Sequence, residues 1–255
     1  MAPRRFHVIA CEVLHREMCY CAATSKNIID LRFITQGLHD QGSEKMAARL
    51  QEEVDAVDGG RYEAVLLAYG LCNNGIVGLT ARDIPIVVPR AHDCMTFFFG
   101  SHEKYQEYFD RCPGTYFATT GWLERDTANL EDVSDERRRQ LGCDRSYEDY
   151  VAQYGEENAK YIMETLGDTL KNYDRYAYID MGIREDLGYD AETAQNAEER
   201  GWTFERIEGD LALARKLVDG EWDDGQFLVV QPGETILAAH DGRIVQASAE
   251  REDEQ

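Results

Sequence analysis

The sequence predicts an α/β protein: a doubly wound, mostly parallel sheet with a helical insertion and a second, smaller α/β lobe. Short apolar runs of strand length alternate with stretches of helical periodicity, and several end at glycine, as at Gly59-Gly60 and Gly70. The alternation breaks off over residues 124–172 and then resumes. Strands separated by helices pair in parallel through right-handed crossovers, which places helices on both faces of the sheet.

Phe6 to Ala10 reads as a buried strand and Glu12 to Ala23 as the helix after it. A second strand is expected at Ile28 to Thr35. An amphipathic helix follows from Ser43 to about Val57, with Ser43 as its cap. Tyr62 to Tyr69 makes the third strand, Ile84 to Val88 the fourth, residues 101–111 a helix and Tyr116 to Thr119 a fifth strand. Residues 124–172 are charged, tyrosine-rich and helical in periodicity. They are expected to form an insertion that either covers the cleft as a lid or decorates the far side of the sheet. Strands at Tyr176 to Ile179, Thr203 to Ile207 and Phe227 to Val230 then alternate with helices at Ala191 to Arg200 and Leu211 to Val218. The chain is therefore divided into an α/β half at 1–123, the insertion at 124–172, a second α/β lobe at 173–245 and an acidic tail at 246–255.

The formal net charge is −22. Residues 1–122 hold 12 basic and 15 acidic side chains, so the acidity belongs to the second half. Phosphate neutralisation needs clustered Lys and Arg, so no nucleic-acid partner is expected. A solvated surface explains the charge; a basic partner or a salt-adapted host is the other reading. No run of eighteen apolar residues occurs, and Phe6 to Ala10 is too short for the core of a signal peptide. Neither membrane nor secretion is expected. Seven cysteines without a leader then read as thiols of a reducing, cytoplasmic compartment, where clustered cysteine signals metal or catalysis.

Ligands of a parallel α/β sheet collect outside the carboxyl ends of its strands. Cys11 follows the first strand, Cys72 the third, and His92 with Cys94 the fourth. In extended backbone, His92 and Cys94 project to one face and reach one ion, while Asp93 faces away. Thiolate and imidazole select zinc, with iron as the alternative. Asp93 or Glu12 is placed to orient His92 through its second ring nitrogen. Arg90 is the cation best placed for an anionic substrate, an ordinary ion-paired arginine being the other reading. The glycine-rich run Tyr69 to Gly75 suits a tight turn near a ligand, yet it matches neither the phosphate-loop nor the dinucleotide fingerprint. Cys19 and Cys21 lie two apart on a helix and so point away from each other. They are assigned to packing, as are Cys112 and Cys143. Thr119-Thr120-Gly121-Trp122 and Asp180-Met181-Gly182 follow later strands and are placed to border the cleft.

The runs Ala10-Cys11-Glu12-Val13-Leu14, Tyr69 to Leu79 and Pro89 to Thr96 resemble a numbered family of unknown function found in methanogenic archaea and anaerobic bacteria. Pro113 to Tyr116 and Gly121-Trp122 extend the likeness, which covers most of residues 6–235. Its members often accompany genes for corrinoid-dependent methyl transfer, so the resemblance implies a part in anaerobic one-carbon metabolism. The chain lacks the D-x-H-x-x-G pattern of corrinoid carriers, and it has Asn73 where relatives are expected to have glycine.

The leading expectation is a metal-dependent enzyme, with zinc on Cys72, His92 and Cys94 and a fourth position open to a small-molecule thiol or water for methyl or alkyl transfer. With Cys11 as a fourth ligand the site closes and becomes a metal-stabilised accessory module, serving a corrinoid methyltransferase system. A metal-free alternative makes Cys72 a nucleophile and His92 its base.

Overall fold

The computed structural model describes residues 2–72, 74–125, 155–156, 172–184 and 187–249. The protein is α/β, with a mostly parallel first sheet and a parallel second sheet. The first sheet has the order β2-β1-β3-β4-β8, formed by β1 (Arg5–Cys11), β2 (Ile28–Ile34), β3 (Ala64–Ala68), β4 (Ile86–Pro89) and β8 (Phe227–Val230). β1 pairs in parallel with both β2 and β3, Ala10 standing opposite Phe33 and Ala68. The winding direction therefore reverses between β1 and β3, the kind of switch point beside which parallel α/β sheets place their ligands.

β3 and β4 are buried along their whole length, as apolar strands covered on both faces must be. α1 (His15–Thr24) lies over β2 and against α7 (Ala212–Asp219). α2 (Ser43–Asp55) buries Met46, Leu50 and Val54, which lie along one helical face. Its cap is Gly42 rather than Ser43, and no side chain makes the capping bond.

The second sheet runs β5 (Thr115–Thr119), β6 (Arg175–Asp180), β7 (Thr203–Glu208), with α6 (Tyr189–Arg200) packed on β6 and β7. Two short helices escape the sequence reading, α3 (Met95–Phe99) and α5 (Thr120–Arg125). α4 (His102–Arg111) starts at Ser101, whose hydroxyl accepts from Lys104 N at 3.3 Å. Phe99 bridges the two sheets, its ring 5.7 Å from Phe117 on β5 and 5.3 Å from Tyr108 on α4.

The sequence boundaries are not the sheet boundaries. β5 falls in the expected first half yet builds the second sheet, and β8 falls in the expected second lobe yet joins the first sheet antiparallel to β4. The expected tail begins inside β10 (Val245–Ala249), which pairs with β9 (Glu234–Ala238). Ile236 and Val245 are fully buried, which ties the hairpin down. The expected insertion falls almost wholly outside the described residues. Among those described, no helix is long and apolar enough to cross a membrane.

Candidate functional site

Three cysteines lie at the carboxyl edge of the first sheet, each carried by a different strand end. Cys11 is the last residue of β1, Cys72 lies in the turn after β3, and Cys94 opens α3 after β4. All three are buried. Pairing continues past β3 and β4: Leu71 N donates to Ala91 O at 2.8 Å and Cys72 N to His92 O at 2.9 Å. Only glycine permits that approach at position 70, because a Cβ there would stand 2.7 Å from the Asp93 backbone nitrogen. Cys72 takes the left-handed conformation, φ 46°, and Asn74 does so at φ 65°. Such strain in non-glycine residues concentrates at functional sites.

Burial raises each thiol above its ordinary pKa, Cys11 and Cys72 to about 12 and Cys94 well above the usual range. Cys11 adds to the rise at Cys72, and both add to it at Cys94, so the three groups sense one another. Backbone N–H groups of Gly70 and Cys94 oppose the rise at Cys72. Tyr69 is enclosed beside them. Burial lifts its pKa, as do nearby Cys11, Cys72, Glu12 and Cys94, and its hydroxyl has no hydrogen-bond partner among the described residues. An unpaired buried hydroxyl is costly, which marks the spot as one that suits an added ligand.

A nitrogen from a fourth segment stands near one thiol: His39, in the 3₁₀ segment Gln36–Gln41 after β2. Its Nε2 stands 3.7 Å from Cys11 Sγ, and its ring centroid is 6.2 Å from that of Tyr69. The sequence reading missed it. The strand-end rule, applied to β2 as it was to the other strands, would have found it.

His92 stands apart from the thiols. It is exposed and its ring packs against His102, centroids 5.4 Å apart; only its carbonyl meets the Cys72 turn. The expected projection of His92 and Cys94 to one face required extended backbone, whereas Cys94 is right-handed helical, φ −67° and ψ −17°, at the start of α3. Asp93 does not orient His92 by hydrogen bonding. Its carboxylate accepts from Met95 N at 2.9 Å and from the Tyr105 hydroxyl at 3.2 Å, stabilising the start of α3. Glu12 accepts from Thr35 Oγ1 at 2.9 Å and Gln36 N at 2.7 Å, and so fixes the entry to the His39 segment. Arg90 donates to the carbonyls of Asp224, Arg243 and Val245, tying β4 to the hairpin.

Cys21 packs in the core, and Cys19 lies 4.0 Å from His15 one turn away on the same helix. Neither joins the group. Cys112 is half-buried and Cys143 lies outside the described residues. The segment after β5 does reach the site's border. A Cβ on Gly121 would fall 1.6 Å from Val13 O, while Thr120 Oγ1 meets the Tyr178 hydroxyl at 2.9 Å. Met181 is core, packed against Gly209.

Two ligands of one tetrahedral zinc, at about 2.3 Å for sulfur and about 2.0–2.1 Å for nitrogen, stand about 3.6 Å apart. The Cys11–His39 pair matches this at 3.7 Å. Among the described residues no three His, Cys, Asp or Glu side chains converge closely enough to hold an ion as they stand. The donor chemistry thus suits a soft metal, while Cys72 and Cys94 are not closed around a point shared with that pair.

A family model for proteins of unknown function, DUF1638, matches residues 33–218. The chain belongs to the DUF1638 family. The part matched to DUF1638 contains His39, Cys72, His92 and Cys94, and Cys11 precedes it. No curated protein and no solved structure matches the chain.

Proposed function

We propose that the protein binds a soft metal ion, zinc or alternatively iron, through Cys11, Cys72, Cys94 and His39 at the carboxyl edge of the first sheet. The observation that carries this reading is the gathering of three thiols from three strand ends beside an unpartnered buried hydroxyl. Such an ion supplies positive charge that lowers the pKa of a bound thiol or water. The chain's own residues hold the place. Gly70 lets the two cysteine turns touch, Glu12 fixes the His39 segment, and the Tyr69 hydroxyl is a donor for an anionic or sulfur ligand. The class of chemistry that suits the site is activation of a small thiol or water for methyl or alkyl transfer in anaerobic one-carbon metabolism.

His39 also favours a second reading. Three thiols and one imidazole fill all four positions of a tetrahedral ion, and that full set is a structural one. The protein would then be a metal-stabilised accessory module, for example to a corrinoid methyltransferase. The metal-free nucleophile is weakened, because burial keeps the Cys72 thiol protonated and His92 is not at hand as its base.

Metal analysis of anaerobically purified protein tests the proposal. Wild type and Cys19→Ala should carry about one equivalent, the complement of one tetrahedral site. Cys11→Ala, Cys72→Ala, Cys94→Ala and His39→Ala should each lose it, while His92→Ala retains it. Equal metal content across the set would sink the site. In metal-free folded protein, iodoacetamide should label the half-buried Cys19 and Cys112 before the three buried thiols. Fast, solitary labelling of Cys72 would favour the nucleophile instead.

A further inference from the structure

We propose that the outer edge of β2 pairs with the same edge of a second copy of this chain, antiparallel about Leu31, joining two five-stranded sheets into one. β2 closes the first sheet on one side, and β1 is its sole strand partner among the described residues. Natural edge strands are protected by charged side chains, lysine above all, or by proline, bulges or brevity; the two charges of β2, Asp30 and Arg32, are of opposite sign and so do not repel a strand that sets Asp against Arg. β2 runs seven residues in unbroken register with β1 and contains neither proline nor lysine. Five of those residues are apolar: Ile28 is exposed, and Ile29, Leu31 and Phe33 are only half-buried. An edge of that composition is a template for another strand.

The backbone selects one register. Ile28 N donates inward, to Arg4 O on the β1 side, at 2.8 Å. The N–H and C=O of one residue point the same way and alternate along a strand. Asp30 and Arg32 therefore also point inward, while Ile29, Leu31 and Phe33 present their backbone groups outward. With Leu31 opposite Leu31 of the second copy, Ile29 stands opposite Phe33, and each outward pair exchanges both its hydrogen bonds. Between them Asp30 stands opposite Arg32 of the second copy in the non-hydrogen-bonded positions, where side chains come closest. Sliding the copies by one residue sets outward backbone groups against inward ones. Sliding by two sets Asp30 against Asp30, or Arg32 against Arg32.

Charge favours the same place. A chain of net charge −22 repels its own copies. Around β2 the acidity is offset: Asp30 holds Arg61 at 3.1 Å and Arg5 at 3.5 Å, and Arg32 holds Glu53 at 2.9 Å, three arginines against two carboxylates. Because the copies run antiparallel, their carboxyl edges face opposite ways and each keeps its own thiol site. The inference therefore stands apart from the metal proposal.

Light scattering across a concentration series should give twice the chain mass of 29.1 kDa. Asp30→Arg or Arg32→Asp alone sets like charges opposite at both crossings and should weaken dimerisation about tenfold or more. Mixed in equal amounts, the two variants again set Arg against Asp twice, and the dimer should return. Leu31→Pro removes an outward N–H without breaking a bond to β1 and should also yield monomer. Circular dichroism checks that each variant is folded. A wild type that is monomeric throughout, folded charge variants whose mixture stays monomeric, or a dimer that survives Leu31→Pro would each overturn the pairing. If a charge variant does not fold, Leu31→Pro alone decides between the two outcomes.

Discussion

At the carboxyl edge of the first sheet, ionisable groups are buried without charged partners; at that of the second sheet they are paired in the open. Cys11, Cys72, Cys94 and Tyr69 all have raised pKa values because water is excluded. Glu17, on the buried face of α1, belongs with them: burial lifts its carboxyl to about 7, and its Oε2 has no partner among the described residues. At the carboxyl edge of the second sheet, Asp180, the last residue of β6, and Asp190 both hold Arg206. Strand–turn–helix units build both edges, so the difference lies in what covers them. Solvent and a nearby opposite charge keep a carboxylate ionised, whereas enclosure leaves thiol, phenol and carboxyl neutral and ready to respond to an added cation.

The largest blow to this contrast should come from Gly70→Ala. Its Cβ would stand 2.7 Å from backbone atoms of Asp93, so the two cysteine turns must separate. We expect a loss of about 3 kcal/mol in urea unfolding, with the buried thiols labelling faster. A loss below about 1 kcal/mol would mean that the turns part cheaply.

Glu17→Gln should come next and have the opposite sign. The wild-type carboxyl ionises near 4.3 when unfolded and at about 7 when folded. Wild-type stability from this group is therefore greatest below the unfolded value, and it is lost as pH rises towards the folded one. Glutamine removes that dependence. The variant should match wild type near about pH 4 and exceed it by about 3 kcal/mol at about pH 8. Parallel stability–pH curves for the two proteins would show that Glu17 is hydrated.

Asp180→Asn should be the smallest effect, and on the acid side. Partial burial pulls the Asp180 carboxyl up, but Arg206 and the Gly182 N–H outweigh it and leave the pKa below the usual value. Its contribution is present above the unfolded carboxyl pKa and fades as pH falls through the folded one. Wild type and variant should therefore converge in acid and differ only slightly at neutral pH. A difference as large as that at Gly70 would erase the distinction between the two edges.

The apolar runs made the sheet legible: the strand at Phe227 to Val230 was located to the residue, and β1 and β2 within one residue at each end. The strand-end rule brought out Cys11, Cys72 and Cys94 because cysteine placement after a strand is a local signal. The extended backbone expected at His92 is not the one found. An extended His92-Asp93-Cys94 and one that enters α3 have the same residues, and Asp93 bonding to Met95 N favours the helical entry. The bonds of Arg90 were not legible, because its acceptors are carbonyls more than a hundred residues away, which carry no side-chain signature.

By itself the sequence determined the α/β class, most strand positions, the acidity of the second half and the three thiols at strand ends. Tertiary structure alone decided that β5 leaves the first sheet while β8 returns to it, that His39 rather than His92 stands beside a thiol, and that the edge of β2 lies uncovered among the described residues. Periodicity is written within a few neighbouring residues, whereas strand order and the meeting of side chains depend on contacts between segments far apart in the chain.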